Sequence, residues 1–411
     1  MRIIRSAIGL ALPLVLVFAA AASAQTAPPI QGTTTTTPTL SLADTLTALT
    51  RPVGTANIGN AIGLATELGI GTAPFGASSG GFLIKLDPST GLQVRTATTF
   101  GPSFAERALT SGDGKLSVGV NFASATYDRL DKLHLDSLQV WNVAGTAAAT
   151  RTGTTNLEIT TKTVVASARM GVTEKLDVGV FVPFISTEVK GTSTLVDGTG
   201  RITTFVQGNA KSNGLGDVAG LAKYRFYSFG SGLPDPGGLA VMFLMRLPTG
   251  DEANLRGLDS TRTFVSFIAS SGAGRFRPHG NVGYGYWSKG VSVASDYAVN
   301  GSVEARHQIE YAAGVELEAA PKVTLLLDLL GGLIQGGGKV DFATVPNTLA
   351  GASATQALVA LPEGISRISL APGLKVNLKG KMLLSLNALV ALKDGGMWTR
   401  VIPVAGIDLT F

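Results

Sequence analysis

Along most of the chain after Lys115, apolar residues occupy every second position. The pattern is clearest in 116–123, 176–184, 308–317 and 381–392, where the intervening positions mix small, polar and charged residues. Successive side chains of a β-strand project to opposite faces of its sheet. Each stretch is therefore predicted to be a strand with one apolar face and one mixed face.

Twelve such stretches follow one another, and each contains 11 to 16 residues. They are 115–127, 157–171, 175–188, 215–228, 237–247, 260–270, 276–287, 303–318, 321–334, 365–378, 380–392 and 400–411. Strands of soluble proteins usually contain about 5–6 residues, whereas a tilted strand needs about 9–11 residues to cross a bilayer. The lengths therefore favour strands that cross a membrane.

The connections between these stretches alternate in length. The short ones are 171–174, 271–275, 319–320 and Lys379, with 229–236 somewhat longer in the same series. The intervening ones are mostly longer and more polar: 128–156, 189–214, 248–259, 288–302, 335–364 and 393–399. In outer-membrane barrels, short periplasmic turns alternate with long external loops. An even number of strands also leaves both ends of the barrel on the periplasmic side.

A sheet that spans a membrane must close on itself, because hydrocarbon offers no partners for backbone N–H and C=O groups. We therefore predict an all-β fold, an antiparallel transmembrane β-barrel of about twelve strands over residues 111–411. Its apolar face is expected to contact lipid. A hairpin signal at 82–100 leaves fourteen strands as the alternative, if that hairpin joins the wall.

The first 24 residues have the features of a signal peptide. Arg2 and Arg5 precede an apolar core over 7–20, and Ala22-Ser23-Ala24 is a small-x-small cleavage site. We predict cleavage between Ala24 and Gln25, with an uncleaved anchor helix as the alternative. Residues 25–40 are rich in Thr and Pro and are predicted to form a linker.

Composition excludes several classes of function. The chain has no cysteine, which excludes a disulfide scaffold and a thiol enzyme. Only 15% of its residues are charged. Its three histidines, His134, His279 and His307, lie far apart in sequence, so we predict no metal site and no cofactor. After cleavage, 31 basic and 28 acidic residues remain, a balance too even to predict nucleic-acid binding.

The last stretch carries Ile407, Leu409 and Phe411 at alternate positions and ends on the aromatic residue. This arrangement resembles the terminal signal that the outer-membrane assembly machinery reads. We therefore expect localisation in the outer membrane of a Gram-negative-type bacterium. The expected partners are outer-membrane lipids and the barrel-assembly machinery, and the sequence carries no signal for an oligomeric state.

Two parts of the chain carry a resemblance to a known family. One is 171–184, and the other is 214–226 together with the segment Arg246-Leu247-Pro248-Thr249-Gly250-Asp251-Glu252. Over about 100–411 these parts resemble the outer-membrane β-barrel transporter family named for a meta-pathway of phenol degradation. The resemblance implies uptake of small hydrophobic molecules, with aromatic compounds as one class.

A more distant resemblance is to the long-chain fatty-acid channel family, in which an N-terminal hatch plugs the barrel. It implies that residues 41–110 form a plug or hatch. Within this segment the sequence predicts a short helix over 41–50 capped by Ser41, the hairpin at 82–100 and a second short helix over 103–109.

Residues on the mixed face of the strands are predicted to line the lumen. The candidates that carry charge or an amide are Arg169, Asp177, Asp217, Lys223, Arg225, Arg246, Glu310, Glu316, Asp328, Arg367, Lys375, Asn387, Arg400 and Asp408. Both signs of charge occur, so two interpretations remain open: a self-neutralising structural network and a path that guides substrate.

From these observations we predict a channel or transporter for small hydrophobic molecules rather than an enzyme. A general diffusion porin, a lipid-modifying outer-membrane enzyme and an adhesive barrel are the alternatives. Catalysis by a Ser–His pair is disfavoured, because His279 is followed two positions later by Asn281 and His307 has no serine on its face.

Overall fold

The structure, a computed structural model, describes residues 40–53, 56–76, 81–86, 93–95, 97–141, 151–232, 234–272, 274–292, 304–345, 354–393 and 395–411. The predicted signal peptide, its cleavage site and nearly all of the linker lie outside the described residues. Residues 41–411 form one compact unit.

The N-terminal part of this unit contains two helices and a small hairpin. Helix α1 spans Leu42–Thr50, a 3₁₀ turn spans Arg51–Val53 and helix α2 spans Ala56–Gly71. Strands β1 (Ile84–Leu86) and β2 (Gln93–Arg95) pair with each other in a separate two-stranded sheet. Among the described residues, no helix is both long enough and apolar enough to cross a membrane.

The rest of the chain is almost entirely β-structure. In chain order the strands are β3 (Leu116–Tyr127), β4 (Arg129–Leu130), β5 (Leu133–His134), β6 (Leu138–Trp141), β7 (Thr152–Gly171), β8 (Leu176–Val196), β9 (Ile202–Leu215), β10 (Ala219–Ser228), β11 (Gly237–Arg246), β12 (Arg262–Ser271), β13 (Phe276–Ser292), β14 (Glu304–Ala320), β15 (Val323–Val345), β16 (Thr355–Lys379), β17 (Met382–Lys393), β18 (Met397–Trp398) and β19 (Val401–Thr410). Short 3₁₀ turns lie at Leu135–Ser137 and Glu252–Asn254.

Twelve of these strands close into an antiparallel barrel. The wall runs β3–β7–β8–β10–β11–β12–β13–β14–β15–β16–β17–β19, and β19 returns to pair with β3, with Thr410 opposite Ser117. All twelve predicted strands are present, so the predicted all-β barrel is confirmed. The hairpin β1–β2 lies outside the wall, and the count is therefore twelve rather than fourteen.

The alternation of connection lengths sorts the two ends of the barrel. At one end, here called the short-turn end, the connections shrink to two residues at 321–322 and at 380–381. At the other, the long-loop end, several strands run further than predicted. Strand β15 continues to Val345, whereas the prediction ended it near Ile334. The prediction stopped short because Gln335 and the glycines after it interrupt the alternation of apolar residues.

Strand β9 lies in a region that the sequence analysis assigned to a loop. It pairs with the long-loop half of β8, while the other half of β8 pairs with β10. None of its fourteen residues is buried. Its residues alternate between exposed and half-buried, and Val206 and Ala210 pack against an apolar cluster that contains Leu49 of α1. Neither face is continuously apolar, and this is why the period-two pattern did not reveal the strand.

Burial across the wall is inverted relative to a water-soluble sheet. On β12, Phe267 and Val265 are 61% and 42% exposed, whereas Arg262 is fully buried and Ser266 is 8% exposed. The outward face elsewhere carries large apolar and aromatic residues: Phe122, Val180, Tyr224, Phe243, Val282, Tyr284, Tyr286, Tyr311, Leu325, Leu327, Leu386, Ile407 and Leu409. Such a surface is stable only in contact with apolar surroundings.

The helical predictions met different outcomes. The helix over 41–50 is confirmed, and Ser41 caps it: its Oγ accepts from the Asp44 N–H at 3.1 Å, while the Asp44 carboxylate accepts from the Ser41 N–H at 3.3 Å. The predicted helix over 103–109 is wrong. That segment is bent and extended, because wall side chains take its backbone N–H groups.

Candidate functional site: the lumen and its N-terminal segment

At the long-loop end, the N-terminal helices pack against the wall through apolar side chains. Leu42, Leu46 and Leu49 of α1 are at most 1% exposed and share one cluster with Ile159 and Val189 of the wall. Helices satisfy their own backbone hydrogen bonds, so the wall needs to offer only apolar surface here. Apolar contacts thus fix α1 and the first part of α2, and Ser193 Oγ of β8 also donates to the Leu49 carbonyl.

The C-terminal end of α2 meets three arginines of the wall. Nη1 of Arg246 and Nη1 of Arg262 each donate to the Gly71 carbonyl at 2.6 Å, and Nη1 of Arg367 donates to Thr72 Oγ1 at 2.7 Å. The last carbonyls of a helix lack intrahelical donors and carry partial negative charge. The arginines therefore stabilise the point where α2 ends inside the barrel.

At the short-turn end, residues 100–111 cross the lumen in extended form. Asp328 Oδ2 accepts from the backbone N–H groups of Phe104 and Ala105 at 3.2 and 3.3 Å, and Asp177 Oδ1 accepts from Ser111 at 2.9 Å. Further along the wall, Glu316 accepts from the Gly101 N–H at 3.0 Å.

Basic side chains of the wall bind the carbonyls of the same segment. Nζ of Lys375 donates to the Pro102 carbonyl at 2.7 Å, and Nζ of Lys223 donates to the Arg107 carbonyl at 3.2 Å. An extended segment inside a barrel has no strand partner, so its backbone groups require side-chain partners. The buried charges of the wall supply them.

The fourteen predicted lumen residues thus fall into groups. Seven bind the N-terminal segment directly: Asp177, Lys223, Arg246, Glu316, Asp328, Arg367 and Lys375. Six others lie on or beside the inner wall and make no such hydrogen bond to the described residues of the segment: Arg169, Asp217, Arg225, Glu310, Asn387 and Asp408. Arg400 lies apart from them, exposed in the bend before β19.

Asp217 joins the two segments of the second part that carries the family resemblance, 214–226 and 246–252. Its Oδ1 accepts from the Gly250 N–H at 3.1 Å and its Oδ2 from Arg262 Nη2 at 2.8 Å. Thr249 Oγ1 also donates to the Gly216 carbonyl at 2.8 Å. The loop after β11 is therefore fixed against the start of β10, and its Leu255 is fully buried in the cluster around α1.

The structure also shows functional residues that the sequence analysis missed. Arg262 shares its parity with Ser266 and Ser270, but Phe264 and Ile268 lie on the same face and concealed its polar character. His279, considered only as a catalytic candidate, is 6% exposed and its Nε2 lies 2.9 Å from Asp328 Oδ1. It thereby orients a carboxylate that holds residues 104 and 105.

Glu67 lies on α2, 5% exposed, close to two further carboxyl groups. Burial, with a further contribution from the negative charges of Glu252 and Asp217, raises the pKa of Glu67 to about 9. At neutral pH the side chain is therefore protonated, which lets it remain in the packed interface between helix and loop.

A cavity of about 280 Å³ lies between the helices and the extended segment. One side of it is apolar, with Phe75, Phe181, Leu221, Met242 and Leu244. The other side carries polar groups of β12–β16, described below as one row. For scale, an engineered apolar cavity of about 150 Å³ holds a benzene molecule.

The polar row crosses adjacent strands at one height. Ser266 lies opposite Gly283, Gly283 opposite Glu310, Glu310 opposite Gly332, and Gly332 opposite Arg367. A Cβ built on Gly332 meets no atom closer than the Ile309 carbonyl oxygen at 3.9 Å. Gly332 thus leaves space on one side of Glu310, whereas the Ser266 side chain takes up the space at Gly283 on the other side.

A second cavity of about 100 Å³ lies beyond the segment Ala73–Gly76, whose residues line both cavities. Phe75 stacks on Phe181 with ring centroids 5.4 Å apart, and the Arg246 guanidinium lies 3.9 Å from its ring centroid. This short segment therefore separates the two cavities.

Comparison with known proteins gives structural neighbours of low similarity. An outer-membrane channel of Pseudomonas putida F1 shares 10% identity, with a TM-score of 0.46 over 74% of this chain and 98% of that one. A FadL homologue of Pseudomonas aeruginosa shares 12% identity, with a TM-score of 0.33 over 81% of this chain and 96% of that one. The toluene transporter TbuX of Ralstonia pickettii shares 13% identity, with a TM-score of 0.32 over 73% of this chain and 90% of that one.

At these values the likenesses support no conclusion about what this chain binds. No family model matches the chain, and no curated protein matches it. The resemblance to the phenol-degradation family therefore stays a prediction.

Proposed function

We propose that this chain is an outer-membrane channel for small hydrophobic molecules and that residues 41–110 plug its lumen. The observation that carries the proposal is the inverted wall: apolar residues on the outside, buried charges on the inside and a half-apolar cavity in the middle. An outward apolar face suits lipid. A cavity with an apolar side suits a hydrophobic cargo.

The filled lumen favours this function over that of a general diffusion porin. Porins of 16–18 strands leave an aqueous channel, whereas a barrel of about eight strands is filled by side chains. Here a twelve-stranded wall encloses two helices and an extended segment whose backbone it binds. Passage therefore requires a route through or past this segment.

The cavity can be tested with a matched pair of glycine substitutions. Gly332→Leu places a side chain in the cavity, whereas Gly220→Leu adds the same side chain on the outer face of β10, where the nearest neighbour of a Cβ is the Gly179 carbonyl oxygen at 4.0 Å. We expect uptake of radiolabelled toluene by cells expressing the chain to fall about tenfold for Gly332→Leu and to be unchanged for Gly220→Leu.

Both variants must first show the heat-modifiable electrophoretic migration of a folded barrel. Uptake at the background rate with the unsubstituted chain would contradict the channel itself. Equal uptake by all three forms would show that cargo does not use this cavity.

The plug can be tested with a reversible tether, because the chain has no cysteine of its own. A Cβ on Gly69 of α2 lies 3.3 Å from the Cβ of Met397, close to the separation of about 3.5–4.5 Å found in disulfides. In the double variant Gly69→Cys/Met397→Cys we expect oxidation to lower uptake and dithiothreitol to restore it. Each single variant is the control, and uptake unaffected by oxidation would show that α2 stays in place during passage.

A further inference from the structure

The polar side of the larger cavity contains a carboxylate without a counter-ion. Glu310 lines the cavity, and its Oε1 accepts from Gln308 Nε2 at 2.7 Å. Within the described ranges, no basic side chain comes within ion-pair distance of it. Because Gly283 and Gly332 flank it on the neighbouring strands, no side chain at those positions covers it.

The arginines that act on Glu310 electrostatically, Arg246 and Arg262, are engaged elsewhere. Arg246 donates to the carbonyls of Gly71 and Ala73, and Arg262 donates to Gly71 and to Asp217. Their charges offset that of Glu310 without binding it. A cationic ligand would therefore gain little, since the two guanidinium groups repel it.

Gln308 adds a second acceptor beside Glu310. Its side chain is 3% exposed, and since its amide nitrogen donates to the carboxylate, its Oε1 is the atom left over. That oxygen has no hydrogen-bond partner among the described residues. Buried acceptors without partners are costly, so this end of the cavity favours a ligand that brings a donor.

We propose that the cavity binds a neutral molecule with an apolar ring or short chain and a hydroxyl group, the hydroxyl donating to Glu310 or Gln308. The apolar body lies against Phe75, Phe181 and Leu221. A carboxylate ligand is rejected because it would meet Glu310, and a plain hydrocarbon leaves both acceptors unsatisfied. This inference rests on the proposed function and specifies its substrate class.

The test compares three molecules that share one ring: benzyl alcohol, toluene and benzoate. Binding to the full chain in detergent is measured by calorimetry. We expect benzyl alcohol to bind about tenfold more tightly than toluene, and benzoate to bind more weakly than either. One hydrogen bond to a charged group is sufficient for a difference of this size.

Two variants locate the effect. Glu310→Gln should lower the affinity for benzyl alcohol about fivefold, raise the affinity for benzoate and leave that for toluene unchanged. Gln308→Leu should lower the affinity for benzyl alcohol alone. Glu158→Gln, an exposed glutamate on β7, is the matched control and should change nothing.

Benzoate binding as tightly as benzyl alcohol, equal effects of Glu310→Gln on all three molecules, or no binding at all would overturn the inference. Uptake separates this from the proposed function. If toluene still enters cells through the chain while the binding preference is absent, the proposed channel function is supported and the inferred substrate class is overturned. If no uptake is seen, the channel proposal fails whatever the calorimetry shows.

Discussion

At the long-loop end of the barrel the N-terminal segment is helical and packs through leucines, whereas at the short-turn end it is extended and bound by charges. The difference follows from the backbone. Helices α1 and α2 satisfy most of their N–H and C=O groups internally, while residues 100–111 have no neighbouring strand and depend on Asp177, Asp328 and Lys375. The buried charges of the wall are therefore placed where the enclosed chain is not helical.

This comparison also explains the composition of the wall. A charged inner face resembles the lining of an aqueous pore, and both signs of charge fit a self-neutralising network. In the structure, six of these charged side chains hydrogen-bond to the backbone of the enclosed segment, and ion pairs such as Arg262–Asp217 and Arg225–Asp235 join others. For those six, burial of the charge is compensated by a hydrogen bond to a specific backbone atom.

The largest effect is expected from breaking the charged end. Asp328→Ala leaves His279 and the N–H groups of Phe104 and Ala105 without their acceptor, so the free energy of unfolding should fall by about 3–5 kcal/mol. Urea unfolding in lipid vesicles, followed by tryptophan fluorescence, measures it. The control Asp259→Ala removes an exposed ion pair with Lys289 and should cost at most about 1 kcal/mol. Equal losses in the two variants would contradict this account of the short-turn end.

A slightly smaller effect is expected at the apolar end. Leu46 is fully buried, and Leu46→Ala should lower the free energy of unfolding by about 3 kcal/mol through lost contacts and the cavity left behind. Leu247→Ala, in the loop after β11 at 38% exposure, is the control and should cost under about 1 kcal/mol. A Leu46→Ala loss no larger than that of the control would mean that burial does not hold α1 in place.

The two ends should also differ in their response to pH, through Glu67. Its pKa is about 9 in the folded chain against 4.5 in the unfolded chain, so between these values the folded state binds more protons and stability falls as pH rises. From pH 5 to pH 8 the unsubstituted chain should lose on the order of 1–3 kcal/mol that Glu67→Gln does not lose. Asp136→Asn, at an exposed acid, should behave as the unsubstituted chain. Identical pH profiles for the unsubstituted chain and Glu67→Gln would contradict the burial of a neutral Glu67.

The smallest effect should come from the start of α1. Ser41→Ala removes the side chain that caps the Asp44 N–H and should cost about 1 kcal/mol. Ser41→Thr keeps a hydroxyl and should recover most of it. Hydrogen exchange of residues 42–46, measured in both variants, would show whether the loss is local, and unchanged exchange in Ser41→Ala would show that packing alone fixes the first turn.

The sequence revealed the barrel strands because apolar residues occupy the outward-facing alternate positions of each one, from Leu116 in the first to Leu409 in the last. It did not reveal β9, where neither face is apolar, or α2, whose Gly- and Ala-rich sequence lacks a polar face. The error at 103–109 has the opposite cause. Local spacing there suits a helix, yet the Asp328 carboxylate and the Ser270 hydroxyl accept from its N–H groups in place of helical carbonyls.

For the candidate site, parity placed the charged residues on the inner face but said nothing of what they bind. Arg246 and Arg367 lie more than a hundred residues from Gly71 and Thr72, and no local pattern links them. The sequence already placed Glu310 among the lumen candidates, but only the strand register shows that its neighbours across the sheet are glycines.

Alternation, strand length and the lengths of the connections determined by themselves the twelve wall strands and the apolar face of each, since side chains at alternate positions of a strand share one face. Closure of the sheet, the path of residues 41–111 through it and the cavity between them were decided by tertiary structure alone. They depend on contacts between residues far apart in the chain. Such contacts are set by position in space and produce no periodic pattern in the sequence.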